Sequence, residues 1–289
     1  MVKTDFMKSL SLIGFAALLI IFSSCGNSGN GQKNAADSVK AVPLGPVTLA
    51  SVSPSPDFPG ASLSLKSCTT TKTETKGDKT STDSVKVAFE FEVKNYELKL
   101  QTSDNGTKMC NNSDKGQHIH FILDNGPYKA LYEPKNEVTL PNDSKEHILV
   151  AFLSRSYHES IKSKDAAIVT VFSAKNGKLV KKPAPTTPMI AYSRPKGDYT
   201  GKDTANILLD FYVMNCSLAP DGYKVVAEIS NLDRPAQHLT ATIDQWAPHF
   251  IQNLGTGKCK VTLSLVDKDG KKVEGPLTSA SREFNLKEK

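Results

Sequence analysis

Two histidines, His118 and His120, stand one residue apart in the segment GQHIHFILDN. Neutral imidazole is a common ligand for zinc and copper. Side chains alternate across a β-strand, so residues two apart project from the same face. Ile119, Phe121 and Leu123 then form an apolar core side. His118 and His120 point outward with Ile122 and Asp124, placed so that both rings can reach one ion. A third ligand is needed. His158, in the loop SRSYHES after the strand HILVAFLS, is placed to fold back toward them. His147 begins that strand, and Asp124 offers an oxygen ligand or a partner behind an imidazole. A plainer reading fits the same residues: two outward histidines that hydrogen-bond across strands or face water. An HxH pair is a short motif, so both readings stand.

A second cluster is aromatic and basic: Arg155, Tyr157 and His158 in one loop, with Tyr192, Arg194, Lys196 and Tyr199 in the segment MIAYSRPKGDYT. Tyr and Arg are favoured at recognition surfaces, and loops at the end of a sandwich carry recognition. This cluster is either a ligand surface or a seam where tyrosines pack and arginines bridge two domains. Cys68, Cys110, Cys216 and Cys259 show no Cys-x-x-Cys spacing, which argues against a zinc ribbon. In an oxidising compartment they could pair within each half as Cys68–Cys110 and Cys216–Cys259, or stay free and buried.

The elements that must hold these residues are strands. In VKVAFEFEVKN, Val85, Val87, Phe89, Phe91 and Val93 share one face, and Lys86, Glu90, Glu92 and Lys94 share the other. Turn pairs punctuate the chain: Asn125-Gly126, Asn176-Gly177, Asp221-Gly222 and Asp269-Gly270. The chain also repeats. FEVKNYEL at 91–98 matches FYVMNCSL at 211–218 in Phe, Val, Asn and Leu, and each is followed by further strands in the same order. The repeat predicts an all-β chain of two tandem immunoglobulin-like sandwiches, 57–182 and 203–289, joined by a Pro- and Gly-rich connector at 183–202. The second repeat has Lys224 and Val226 where the first has His118 and His120, which confines any metal site to the first domain.

The N-terminus carries Lys8, an apolar run Leu10–Phe22, and Ser23-Ser24-Cys25. The run is too short to span a bilayer as a helix. It resembles a bacterial lipoprotein signal peptide, which implies cleavage of residues 1–24, acylation of Cys25 and anchoring to membrane lipid in the cell envelope. Residues 25–56 then read as the acylated cysteine and a flexible tether, rich in Gly, Asn, Ser and Pro. Residues 69–84, rich in Thr and Lys, read as an exposed loop. The chain has 289 residues and a formal charge of +6. Its charges are interspersed, with no basic helix face or Arg-rich block, which gives no support to a nucleic-acid partner.

The segments NYELKLQTSDNGTK, GQHIHFILDNGPYKALYEP, LSRSYHESIK and MIAYSRPKGDY resemble an uncharacterised family of exported bacterial lipoproteins. The first half is also similar to a histidine-rich bacterial domain of unknown function with a Gly-x-His-x-His strand and a later histidine loop. That resemblance points to His118, His120 and His158. The chain has no Gly-x-Ser-x-Gly elbow, and GDYTGKD lacks the spacing and the Ser or Thr of a phosphate loop. The expectation is a non-enzymatic, lipid-anchored binding protein of the envelope, with a protein or glycan partner. The alternative is a periplasmic protein that binds copper or zinc through the His118/His120 strand.

Overall fold

Strand patterning carries through to the architecture. The computed structural model describes residues 44–71 and 84–288. The leader, Cys25 and most of the polar 69–84 loop lie outside the described residues. Among the described residues seventeen strands run in the order β1 (Thr48–Ser51), β2 (Ser62–Thr71), β3 (Ser84–Lys94), β4 (His118–Leu123), β5 (Lys129–Leu131), β6 (Lys135–Pro141), β7 (Glu146–Ser154), β8 (Ala167–Lys175) and β9 (Lys178–Lys182). They continue as β10 (Met189–Arg194), β11 (Gly197–Thr200), β12 (Ile207–Met214), β13 (Lys224–Asn231), β14 (His238–Ile243), β15 (His249–Gln252), β16 (Gly257–Val266) and β17 (Ser279–Lys287).

The first sandwich pairs a β2-β3-β6 sheet with a β5-β4-β7-β8-β9 sheet. The second pairs β1-β15-β12-β10 with β11-β17-β16-β13-β14. Matching the strands in chain order sets β2 against β10, β3 against β12, β4 against β13 and β7 against β16, so the sequence repeat is a repeat of topology. Val85, Val87, Phe89 and Phe91 are buried in the first core, as their alternation requires. The shared asparagine of the repeat has a specific task. Asn95 and Asn215 both turn the chain at positive φ, 52° and 60°. Asn95 Nδ2 donates to the Gly60 carbonyl at 3.0 Å. Asn215 Nδ2 donates to Pro185 and Thr187 carbonyls at 2.8 and 3.0 Å. Asn tolerates this left-handed geometry and supplies the bonds together. Asn215→Ala is expected to lower unfolding free energy by about 1–2 kcal/mol, with Asn215→Gly recovering the conformational part. Urea titration checks this, and equal losses for Ala and Gly would remove the role assigned to the backbone.

Two boundaries differ from the sequence reading. The segment 183–202 is not a plain connector. Within it β10 pairs antiparallel with β12, and β11 pairs in parallel with β17, so both belong to the second sandwich. The tether ends before residue 48, because β1 docks on β15 as an edge strand. Beyond it, Lys108 holds the chain by donating to the Ser53 and Pro54 carbonyls at 2.7 and 2.8 Å.

The two sandwiches meet face to face. Ile122, Tyr128, Val150 and Phe152 of the first pack against Met189, Ala191, Tyr212 and Met214 of the second. Phe152 stacks on Tyr212 with ring centroids 4.9 Å apart. Trp246 packs edge-on to Tyr212, and its indole N–H donates to the Phe211 carbonyl. Strand β12 is consequently buried along its whole length, on both faces.

The four cysteines among the described residues are free thiols. Neither expected pair forms, and the placement gives the reason. Cys68 is inside the first core and Cys259 inside the second, while Cys110 and Cys216 sit half-buried in loop segments. Burial pushes the Cys68 and Cys216 thiols up to about 11 and the Cys110 and Cys259 thiols up to about 12. All four therefore stay protonated at neutral pH and are poor nucleophiles.

Candidate metal centre

Strand β4 presents the alternation read from sequence. Ile119 and Phe121 enter the first core, and His118 and His120 occupy the opposite face. That face is not open to solvent. Both histidines are fully buried, because the second sandwich covers the outer face of β4. The hairpin register brings β5 alongside, with His120 opposite Ala130. Tyr128 and Tyr132, two residues to either side of Ala130, therefore join the histidine face. The hairpin turn places Asp124 and Asn125 at positive φ, one position earlier than the Asn125-Gly126 pair suggests.

His158 completes the cluster. His118 pairs with Ser154 at the end of β7, so the chain leaves β7 beside the first residue of β4. A tight turn follows, in which His158 N–H donates to the Arg155 carbonyl and Arg155 N–H donates to the Glu159 carbonyl. His158 has φ of 70°, a left-handed conformation that costs a non-glycine residue roughly 1 kcal/mol. The turn drives its ring onto the strand pair. One nitrogen from each of His118, His120 and His158 lies within 4.8 Å of the others.

The hydrogen bonds identify which atoms converge. His118 Nδ1 lies 2.8 Å from the Gly116 carbonyl, which can only accept. Nδ1 therefore carries the proton, and Nε2 turns a lone pair inward. His120 Nε2 lies 3.0 Å from that atom, and His158 Nδ1 lies 3.1 Å from it. A single lone pair accepts one strong hydrogen bond, yet two ring nitrogens are aimed at it. One nitrogen pair is left in conflict when protons alone fill the cluster. A metal ion removes the conflict by taking all three lone pairs. Donors about 2.0 Å from a tetrahedral ion stand about 3.3 Å apart, close to the separations at His118. The outer nitrogen of His120 is held as well, with Nδ1 3.0 Å from Ser193 Oγ. Ser193 stands at a bulge in β10, between the Tyr192 and Arg194 pairings, and the bulge aims it at the first domain. A hydroxyl can donate or accept, so His120 can hold its proton on Nδ1 and free Nε2 for an ion.

Burial holds all three rings in the neutral, ligating form. It pulls His118 down to about 4 against the help of its Gly116 hydrogen bond, and pulls His120 and His158 well below the ordinary histidine value. The Arg194 guanidinium and the Lys196 ammonium act in the same direction. Lys196 lies 3.9 Å over the Tyr128 ring, and burial followed by Arg194 lowers it to about 8.

Other sequence candidates lie elsewhere or do something else. His147 and Asp124 form their own pair at 2.6 Å, at the far end of the β4–β7 ladder, and are not part of the cluster. Arg155, Tyr157, Tyr192, Arg194 and Tyr199 are buried, so they form no exposed ligand surface. Arg155 pairs with Glu159 at 2.9 Å and donates to the Pro56 carbonyl. Tyr192 and Tyr199 pack in the second core. Lys196 reaches back across the seam to the Tyr128 carbonyl at 2.7 Å. The sequence reading missed Tyr128 and Ser193. Tyr128 could have been found by counting strand faces through the hairpin turn; no sequence signal marks Ser193, whose place depends on a bulge.

The fold and its histidine cluster define a tandem immunoglobulin-like β-sandwich protein with a candidate metal centre at the seam. No family model matches the chain, and no curated protein matches it. Among solved structures it is similar to the fibronectin(III)-like modules of CbhA from Clostridium thermocellum. Identity there is 9%, the match covers 72% of this chain and 87% of that one, and the TM-score is 0.25. It is also similar to the two tandem V-type regions of VCBP3, a v-region-containing chitin binding protein, at 10% identity. That match covers 78% of this chain and all of the other, with a TM-score of 0.23.

Proposed function

We propose that this chain is a lipid-anchored protein of the bacterial envelope that binds one copper or zinc ion through His118, His120 and His158, and that it holds the ion rather than catalysing with it. One observation carries the reading: three neutral, buried imidazole nitrogens converge within 4.8 Å, the Gly116 carbonyl turns the His118 lone pair inward, and Ser193 allows the same of His120. Imidazole donors suit copper and zinc. The two strand ligands are fully buried, which restricts access of a substrate to the ion and favours holding it. The anchor rests on Leu10–Phe22 and Cys25, whose acylation would join the chain to membrane lipid. The alternative of a protein or glycan ligand held by the Tyr/Arg cluster loses its surface, because those side chains fill the interior.

The test is metal content after reconstitution of a soluble form beginning at residue 26. About one equivalent of copper or zinc is expected in the parent, with loss in His118→Ala, His120→Ala and His158→Ala. Uptake that survives all three substitutions would place the metal elsewhere, and no uptake by the parent would end the metal reading.

A further inference from the structure

Resting on that metal reading, we infer that Tyr128 is a fourth ligand, so that the site is three imidazoles and one phenolate oxygen. Tyr128 leads into β5 on the histidine face, and its ring stacks on His120 with centroids 3.6 Å apart and planes 9° from parallel. Its hydroxyl lies 3.2 Å from His158 Nδ1, one of the three converging donors. That separation matches the spacing of neighbouring donors around a tetrahedral ion, about 3.3 Å. The three histidines offer three converging donors, and the Tyr128 hydroxyl offers a fourth beside His158 Nδ1.

Charge supplies an independent argument. Arg194 is buried and aims at this site, with its guanidinium carbon 5.5 Å from the Tyr128 ring centre. Its Nη1 donates to Tyr199 Oη at 3.1 Å, and its Nε has no partner. Lys196 sits on the same ring. Among the described residues neither cation has an ion pair. A buried cation without a counter-charge is costly, and a divalent ion on three neutral imidazoles would add to the same sign. A phenolate reverses this. It gives the ion an anionic ligand and gives Arg194 and Lys196 their counter-charge. The ion displaces the phenol proton, which passes to solvent; no electron moves. Tyr132 serves as the internal comparison. It lies on the same face, 5.1 Å ring to ring from His118, but its hydroxyl is engaged with Ser113 Oγ at 2.6 Å.

The experiment loads Cu(II) into the soluble form beginning at residue 26 and records copper content beside the visible spectrum. A phenolate-to-copper charge-transfer band is expected in the parent. Tyr128→Phe, which keeps the stacked ring, should retain copper and lose the band, while Tyr132→Phe should keep both. Bound copper without the band in the parent, or a band that persists in Tyr128→Phe, would overturn the tyrosine ligand and leave the three histidines standing. Failure of the parent to bind copper or zinc would overturn both readings together. Absence of the band from the copper-loaded parent overturns the tyrosine ligand even should the substituted chain fold poorly.

Discussion

Asp210→Ala lowers the unfolding free energy by about 3–5 kcal/mol, the expected cost of breaking a buried ion pair from one side. Asp210 lies on β12 in the second sandwich and is fully buried, yet its partners belong to the first. Lys162 Nζ is 2.6 Å from Oδ1, and the backbone N–H and hydroxyl of Ser160 each donate to the carboxylate at 3.2 Å. Lys162 also donates to the Phe211 carbonyl at 2.8 Å and lies over the Phe211 and Trp246 rings. Removing the carboxylate strands a largely buried ammonium and an N–H donor between the two sandwiches. Asp210→Asn should cost less, because an amide oxygen still accepts from Ser160. Asp210→Ala combined with Lys162→Met should cost less than the two changes summed, since the second removes the charge that the first leaves unpaired. Guanidinium unfolding of the soluble form measures all of these. A loss below about 1 kcal/mol for Asp210→Ala would give the pair the weight of a surface contact and assign the seam to its apolar packing alone.

This seam also explains what the sequence could and could not disclose. Period-two alternation in VKVAFEFEVKN was legible because β3 has one core face and one wetter face. The repeat was legible because Asn95 and Asn215 meet the same backbone demand at equivalent turns. The histidine pair was legible as a pair on one strand face, and His158 as its third member. Their surroundings were not. Alternation separates the face toward a sandwich's own core from the face away from it, and cannot say whether the second face meets water or another domain. A signal for the latter was present in HILVAFLS, ILLDFYVM and MIAYSR, which break the polar alternation because both faces of β7, β12 and β10 are covered. The same omission made a buried Tyr/Arg network look like a recognition surface. Cysteine spacing within each half suggested disulfides, but spacing along the chain does not reveal that Cys68 and Cys259 lie inside the hydrophobic cores.

Metal should stabilise the whole two-domain chain, and the increment should vanish in His120→Ala. A ligand that binds only the native state adds RT ln(1 + [L]/Kd), about 4 kcal/mol at a free concentration a thousandfold above Kd. Native-only binding follows from how the donors are assembled. His118 and His120 converge only when β4 is paired in its sheet, and His158 joins them only through the left-handed turn after β7. Ser193 and Arg194 then arrive from β10 of the other sandwich. An ion held there ties the first domain's ligands to groups that exist in place only while the seam is closed. Calorimetry of the soluble form with added zinc and with excess chelator measures the effect, and the melting temperature should rise with free zinc in the parent alone. A melting temperature that ignores zinc while one equivalent stays bound would mean that the ion binds folded and unfolded chains alike. The preorganised cluster would then contribute nothing to affinity, contrary to the buried, neutral and converging arrangement of its three rings.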